Sequence, residues 1–319
     1  MKDDFNKSHL PTISQDTQDP IEDLKKWMVD EAELIKLHLL QPNCAARLVI
    51  PPSLKVKTII LLFHGFGSGT WVFEEWIKSY SSADTLIIAP RLPGSGFMRD
   101  GIGHEKYLPT SAQSHDYEEM VTHWIDICTL IGADINVVGH SAGGTLAYRF
   151  AQRCTVQRLF LIAPFFDTED MLGKCLFSVM KWIKTYLKLP LHILLDSINW
   201  RLKDSFNTGI SHLPGHSTMT LGQLYSIYAY ATTIFKSKER LKTTIVWITA
   251  SQYDIRSSIF KIKSLMKRLK FISPPIQCNF TIFSPDQEVP HAMIHPMQNK
   301  FDDITNFLKG QFLQWLSYR

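Results

Sequence analysis

The sequence predicts an α/β protein with a mostly parallel sheet covered by helices on both faces. Three observations carry that expectation. Short, continuous apolar runs recur at 58–63 (TIILLF), 85–89 (TLIIA), 135–138 (INVV) and 158–163 (RLFLIA), the pattern of strands buried on both sides. Segments of helical periodicity stand between them, and strand–helix alternation implies parallel pairing through crossover helices. The length of 319 residues suits one large domain, or a core with an insertion.

Residues 1–19 are polar and read as a loosely attached tail. They lack the apolar centre of a signal peptide. Pro20 can open a helix over 21–38, with Leu24, Trp27, Met28, Ala32 and Ile35 on its apolar side. A short strand at 46–50 ends at Pro51-Pro52. After the strand at 58–63 come a helix over 70–80, the strand at 85–89 stopped by Pro90, and a helix over 116–130. The strand at 135–138 precedes a helix over 143–153, and the strand at 158–163 follows. Later strands fall at 244–249 and 279–283, and an amphipathic helix over 301–316 closes the chain. The alternation lapses between 167 and 242, a helical, aromatic and basic stretch placed between two sheet strands. It reads as an insertion over one end of the sheet, leaving 20–166 and 243–319 as the core.

Net charge is +4, from 34 basic and 30 acidic side chains. The densest basic stretch, Lys261 to Lys270, reads as a solvated helix face, and no basic stripe of the nucleic-acid-binding kind is present. No stretch is long and apolar enough to span a membrane. Five scattered cysteines, an odd number without metal-ligand spacing, suit reduced thiols in a cytoplasm. Neither a metal nor an organic cofactor is expected. Oligomeric state has no signature in the sequence.

The chemistry concentrates in two glycine-rich turns. Gly139-His140-Ser141-Ala142-Gly143-Gly144 follows the strand INVV and opens a helix. That is the setting of a nucleophile elbow, in which small neighbours make room for a strained turn that lifts a serine hydroxyl clear of the sheet. Ser141 is thereby the expected nucleophile. His140 reads as a packing residue beneath it. His64-Gly65-Phe66-Gly67-Ser68-Gly69 follows the strand TIILLF. Acyl transfer needs amides aimed at a developing oxyanion, and Phe66, with Ala142 after the nucleophile, is placed to supply them. The turn does not fit GxGxxG, since Thr70 stands where the third glycine belongs, and no Lys-Ser/Thr follows for a phosphate loop.

With these pieces in view, residues of about 44–165 and 243–318 resemble the α/β-hydrolase superfamily, and within it bacterial carboxylesterases and monoacylglycerol lipases. The shared pieces are LLFHGFGSG (61–69), IIAPRLPGSG (87–96), VVGHSAGG (137–144) and LFLIAPFF (159–166). Ser95 stands where those families often carry histidine. The resemblance implies an eight-stranded, mostly parallel sheet with a cap after the sixth strand, and the order serine, acid, histidine. Asp254, in the loop after the strand at 244–249, then stands where the family places its acid; Asp167 is the alternative. His291 stands where the family places its base, with His295 four residues on as the alternative.

The reading is a hydrolase of carboxylic esters, acting on apolar or lipid-derived monoesters through an acyl-enzyme. Acyl transfer, or thioester, lactone or amide hydrolysis, could use the same residues, and a low-turnover ligand-binding role stays open. The aromatic and methionine-rich insertion suits an apolar acyl pocket. Its interspersed lysines admit a weak membrane-surface contact, although solvated lysines account for them as well.

Overall fold

The computed structural model describes residues 10–12, 19–53, 55–80, 82–99, 102–103, 107–183, 186, 195–201, 218–271, 275–294 and 302–318. Most of the 1–19 tail, His295 and much of the 167–242 insertion therefore lie outside the described residues. Leu10 packs against the core, and Asp19 accepts the Ile21 amide at 2.9 Å to cap α1 (Pro20–Lys36). The chain then forms β1 (Arg47–Val49), β2 (Thr58–Phe63), a 3₁₀ turn (Thr70–Phe73), α2 (Glu74–Ser79) and β3 (Thr85–Ala89). A two-residue ribbon, β4 (Met98–Arg99) with β5 (Ile102–Gly103), precedes α3 (Asp116–Ile131). Next come β6 (Asp134–His140), α4 (Ala142–Arg153), β7 (Arg158–Ile162) and α5 (Met171–Trp182). A second small ribbon pairs β8 (Asn199–Arg201) with β9 (Thr218–Thr220) and leads into α6 (Leu221–Lys236). The chain continues through β10 (Ile245–Ser251), α7 (Ile259–Lys270), β11 (Gln277–Phe283) and α8 (Asp302–Ser317).

Seven strands form the main sheet in the order β1-β3-β2-β6-β7-β10-β11. β1 is antiparallel to β3, and every other pair is parallel. The sheet is thus mostly parallel, with one strand fewer than the eight that the family resemblance implies. The described chain preceding β1 is the helix α1 and a short 3₁₀ turn, so a single antiparallel strand closes that edge. Part of the segment expected as one helix over 70–80 winds as 3₁₀. There Trp71, Val72 and Phe73 are all buried, and the Thr70 hydroxyl donates to the Ala45 carbonyl.

The strands read as continuous apolar runs because both faces are covered. Ile59, Leu61 and Phe63 of β2, with Leu159 and Leu161 of β7, join one core layer with Trp124 of α3 and Leu265 of α7. Ile60 and Leu62, with Phe160 and Ile162, face the other layer, built on Trp76, Phe312 and Trp315. Helix α6 works on two sides. A capping box of Thr220 and Gln223 starts it. Ile227, Tyr230, Ile234 and Phe235 enter the main core, whereas Tyr225 and Tyr228 pack on Phe177 of α5. Hence α6 is anchored in the core by its own side chains while also packing on α5. Its Tyr230 hydroxyl also donates to Glu118 at 2.9 Å, and Glu118 pairs with Arg149 and Arg153 of α4.

A buried ion pair fixes α1. Arg91, in the loop after β3, donates to Glu31 through Nε (3.0 and 2.9 Å) and Nη2 (2.6 Å). Its Nη1 donates to the Ser95 carbonyl, and the Ala46 amide donates to Glu31. Both side chains are fully buried and every contact is charge-assisted, the condition under which such a pair can offset its desolvation. No described helix is long and apolar enough to cross a membrane.

Candidate active site

Chain reversal sets the location. From β2 the chain moves outward to β3, then returns to place β6 on the other side of β2. Loops at the carboxyl ends of β2 and β6 therefore diverge at a topological switch point, where open α/β sheets bind ligands. Phe63 is level with Gly139, and His140 with Ile162, so the two glycine-rich turns emerge side by side.

Ser141 has φ 55° and ψ −120°, a conformation that a non-glycine residue adopts only when its surroundings impose it. Backbone packs closely against both flanking glycines. A Cβ on Gly139 would lie 2.2 Å from the Gly143 carbonyl oxygen, and one on Gly143 would lie 2.1 Å from that of Phe63. Glycine is thus required at 143 for the turn to pack against β2, and at 139 for β6 to pack against the start of α4. The Ser141 amide donates to Ile162 at 2.9 Å, and its carbonyl accepts from Phe165 at 2.9 Å. These bonds clamp the strained residue to β7 and to the turn that follows β7.

The side chain of Ser141 begins a hydrogen-bonded line. Its Oγ lies 2.7 Å from His291 Nε2, and His291 Nδ1 lies 2.6 Å from Asp254 Oδ2. Asp254 Oδ1 accepts the amides of Arg256 (2.8 Å) and Ser257 (3.2 Å). Those two bonds turn the other carboxylate oxygen toward the imidazole and direct Nδ1–H at it, which leaves Nε2 able to accept from the serine. Ser257 donates its hydroxyl to the Ala163 carbonyl and holds Oγ 3.5 Å from His291 Nδ1. Burial lowers the Arg256 guanidinium from its ordinary value, against the opposing charge of Asp254.

Asp167 turns elsewhere. Its carboxylate accepts the Thr168 amide at 2.9 Å and lies 3.7 Å from Lys261 Nζ. Burial first, and the charge of Asp167 second, push the Tyr228 phenol up to about 12. The structure thus brings Asp254, rather than Asp167, to His291.

Phe66 lies in the turn after β2, where Gly67 has φ 72°, and Ala142 is the first residue of α4. A Cβ on Gly65 would approach Ser141 Cβ to 3.3 Å, so this turn runs against Ser141. The Phe66 ring also packs against the cluster of Leu108 and Met219. His64 braces the turn from below. It is buried and accepts the Leu92 amide on Nε2 at 3.0 Å, which puts its proton on Nδ1, donated to the Gly65 carbonyl at 2.8 Å.

His140 does more than pack. Its Nε2 donates to the His291 backbone carbonyl at 3.0 Å, and the two rings lie 5.4 Å apart. It therefore holds the loop that carries His291 against the elbow. The roles of His64, His140 and Ser257 escape sequence reasoning. His64 and His140 sit inside the two motifs, whereas nothing in the order of residues pairs them with Leu92 or His291.

The arrangement can present a hydroxyl to an electrophilic carbonyl, take its proton, and offer amides beside a helix N-terminus where negative charge is favoured. Comparisons with known proteins agree with the fold. Solved structures similar in fold include a soluble variant of monoglyceride lipase from Saccharomyces cerevisiae, with TM-score 0.60 and 14% identity over 85% of this chain and 90% of that one. They also include a thermostable carboxyl esterase from Bacillus coagulans, with TM-score 0.56 and 14% identity over 86% and 93%. A Paleococcus ferrophilus monoacylglycerol lipase has TM-score 0.55 and 17% identity over 83% and 98%. In sequence, the chain is 30% identical over 131 residues to the Abhydrolase domain-containing protein abhd-5.2 of Caenorhabditis elegans; the match spans 40% of this chain and only 28% of that relative. Residues 60–254 match the family described as the alpha/beta hydrolase family. That match covers more than half of the chain, which belongs to the alpha/beta hydrolase family.

Proposed function

We propose that this chain is a serine hydrolase of carboxylic esters. The observation that carries the reading is the unbroken line from Ser141 Oγ through His291 to Asp254. Ser141 attacks the ester carbonyl while His291 Nε2 takes the hydroxyl proton. Asp254 stabilises the imidazolium without accepting its proton. The amides of Phe66 and Ala142 stabilise the oxyanion. Collapse expels the alcohol, protonated by His291. Water, activated by the same nitrogen, then releases the acid from the acyl-serine.

Apolar or lipid-derived monoesters are the substrates we assign. Residues 167–242 act as a cap in this reading, and Phe66, Leu108 and Met219 supply an apolar surface beside the turn after β2. The similar structures described as monoglyceride lipases and a carboxyl esterase support that class. The five cysteines are unpaired, which suits a reducing compartment such as the cytoplasm.

A fluorophosphonate probe tests the reading. Covalent labelling of the wild-type chain, lost in Ser141→Ala, is expected together with turnover of p-nitrophenyl esters. Equal labelling of both proteins, or labelling without hydrolysis of any acyl ester, would refute it.

A further inference from the structure

Helix α5 buries only part of its circumference. Phe177 and Met180 pack inward against Tyr225 and Tyr228 of α6. The other side carries Met171, Val179 and Trp182, exposed by 77%, 54% and 54%, with the exposed Cys175 among them. At roughly 100° per residue these four fall within an arc of about 80°. Tyr186, 70% exposed, continues the stripe and lies tilted against Trp182 with ring centroids 5.8 Å apart. A solvated helix would carry polar groups on that arc.

The stripe does not stand alone. The amides of Glu169 and Asp170, just before α5, donate to the Ile255 carbonyl at 3.1 and 3.2 Å. Ile255 and Tyr253, both well exposed, flank Asp254 in sequence. The loop carrying Asp254 thus adds apolar side chains beside the start of α5. Charge then selects the occupant. From Met171 to Lys188 the sequence has four lysines, at 174, 181, 184 and 188, and no acidic residue. Lys181 is exposed on α5, while Lys174 pairs with Glu169 at 3.1 Å. An apolar stripe beside cationic side chains is the makeup of a helix that lies in the plane of an anionic lipid interface.

We propose that α5, together with the 253–255 loop, docks this protein on anionic lipid surfaces. The aromatic and aliphatic stripe enters the boundary between headgroups and acyl chains, and Lys181 meets the lipid phosphates. Docking then brings the loop of Asp254 next to the bilayer, so an apolar ester could pass from lipid to site without crossing bulk water. The docking stands on the surface alone and holds whether or not Ser141 is a nucleophile.

Co-sedimentation of the full chain with vesicles tests it. Vesicles of phosphatidylcholine mixed with phosphatidylserine are expected to pellet the protein, and vesicles of phosphatidylcholine alone to pellet much less. Added salt should weaken the binding. Val179→Ser with Trp182→Ser should abolish pelleting, and Lys181→Glu should weaken it by at least about fivefold, since each lysine near such a surface contributes roughly that factor. Circular dichroism and melting curves identify any variant that fails to fold. For such a variant the vesicle and salt comparison on the wild-type chain still decides. Retention of the wild-type chain in the supernatant with both vesicles overturns the proposal, as does equal pelleting of wild-type and folded Val179→Ser/Trp182→Ser protein. A concentration-dependent dimer lost in that double variant, without vesicle binding, would instead assign the stripe to a second copy and overturn the lipid docking. Ser141→Ala should pellet like wild type, which separates this result from any failure of the ester-hydrolase reading.

Discussion

In Asp254→Asn the new side chain must keep an acceptor toward the amides of Arg256 and Ser257, which donate to Oδ1 at 2.8 and 3.2 Å. Two fixed donors demand oxygen there, so the NH₂ group falls where Oδ2 stood, 2.6 Å from His291 Nδ1. A donor now faces that nitrogen. The imidazole answers by carrying its proton on Nε2, which then points a hydrogen at Ser141 Oγ and cannot take the hydroxyl proton. Loss of tautomer control of this kind costs on the order of 10⁴ in kcat, or about 5 kcal/mol of transition-state stabilisation. Stability should change little, because the two backbone bonds survive. The assay is steady-state hydrolysis of p-nitrophenyl butyrate alongside a thermal melt, with Asp167→Asn as the comparison. Asp167 faces Thr168 and Lys261 rather than the histidine, and its variant should keep kcat within about threefold of wild type. Asp254→Asn retaining more than about a tenth of wild-type kcat, or Asp167→Asn proving the more damaging, would refute the assignment of roles.

Four further outcomes follow from the same geometry. His140→Phe deletes the bond to the His291 carbonyl; at a net contribution of about 0.5–1.5 kcal/mol it should slow kcat by about two- to tenfold, and unchanged kcat would relegate His140 to packing. Glu31→Met alone leaves Arg91 buried without its partner and should cost about 3–5 kcal/mol in urea unfolding, whereas Glu31→Met with Arg91→Met should recover much of that loss; an equally unstable double variant would contradict the argument. Burial lowers the His123 imidazole below its ordinary value, against the Pro11 carbonyl and Asp126, which raise it; the native state then holds fewer protons than the unfolded chain, so stability is full above about pH 6.5 and falls as pH drops through the native value. His123→Phe should flatten that acid-side decline in melting temperature, and an unaltered slope would assign the decline to other groups. Across p-nitrophenyl esters, kcat/KM should climb from acetyl with acyl length before levelling, as each buried methylene contributes about 0.8 kcal/mol; a strict preference for acetyl would sink the apolar-pocket assignment.

Local signals were the legible ones. The strands at 58–63, 85–89 and 158–163 announce themselves because two packed faces leave no polar alternation, and their observed limits at 58–63 and 85–89 match the apolar runs. The elbow is legible for the same reason: strand, glycine spacing and helix stand within about a dozen residues, and the steric demand at Gly139 and Gly143 is written into them. Asp254 and His291 could be singled out only through resemblance, since 37 residues separate the two and 150 separate His291 from Ser141. The pairing of Glu31 with Arg91 leaves no local trace at all. A buried glutamate on α1 has the same sequence neighbourhood as an exposed one, and only the fold supplies its guanidinium. Helix α6 was similarly opaque, because a helix apolar on two faces could pack on the sheet core, on α5, or, as found, on both.

The bond between Glu31 and Arg91 also has a consequence in time. Sixty residues separate the two side chains, and at about 5–20 residues per second a ribosome needs several seconds to make that stretch. Throughout this interval α1 is complete as a segment, yet its glutamate has no cation to meet, and its apolar side, with Leu24 and Trp27, has no sheet to cover. Helix α1 is therefore secured only after β2 and β3 have been made. Its leucine and tryptophan are the surface that a holding chaperone would find on the nascent chain, and they stay within reach until α3 brings Trp124 against Trp27, with ring centroids 5.4 Å apart.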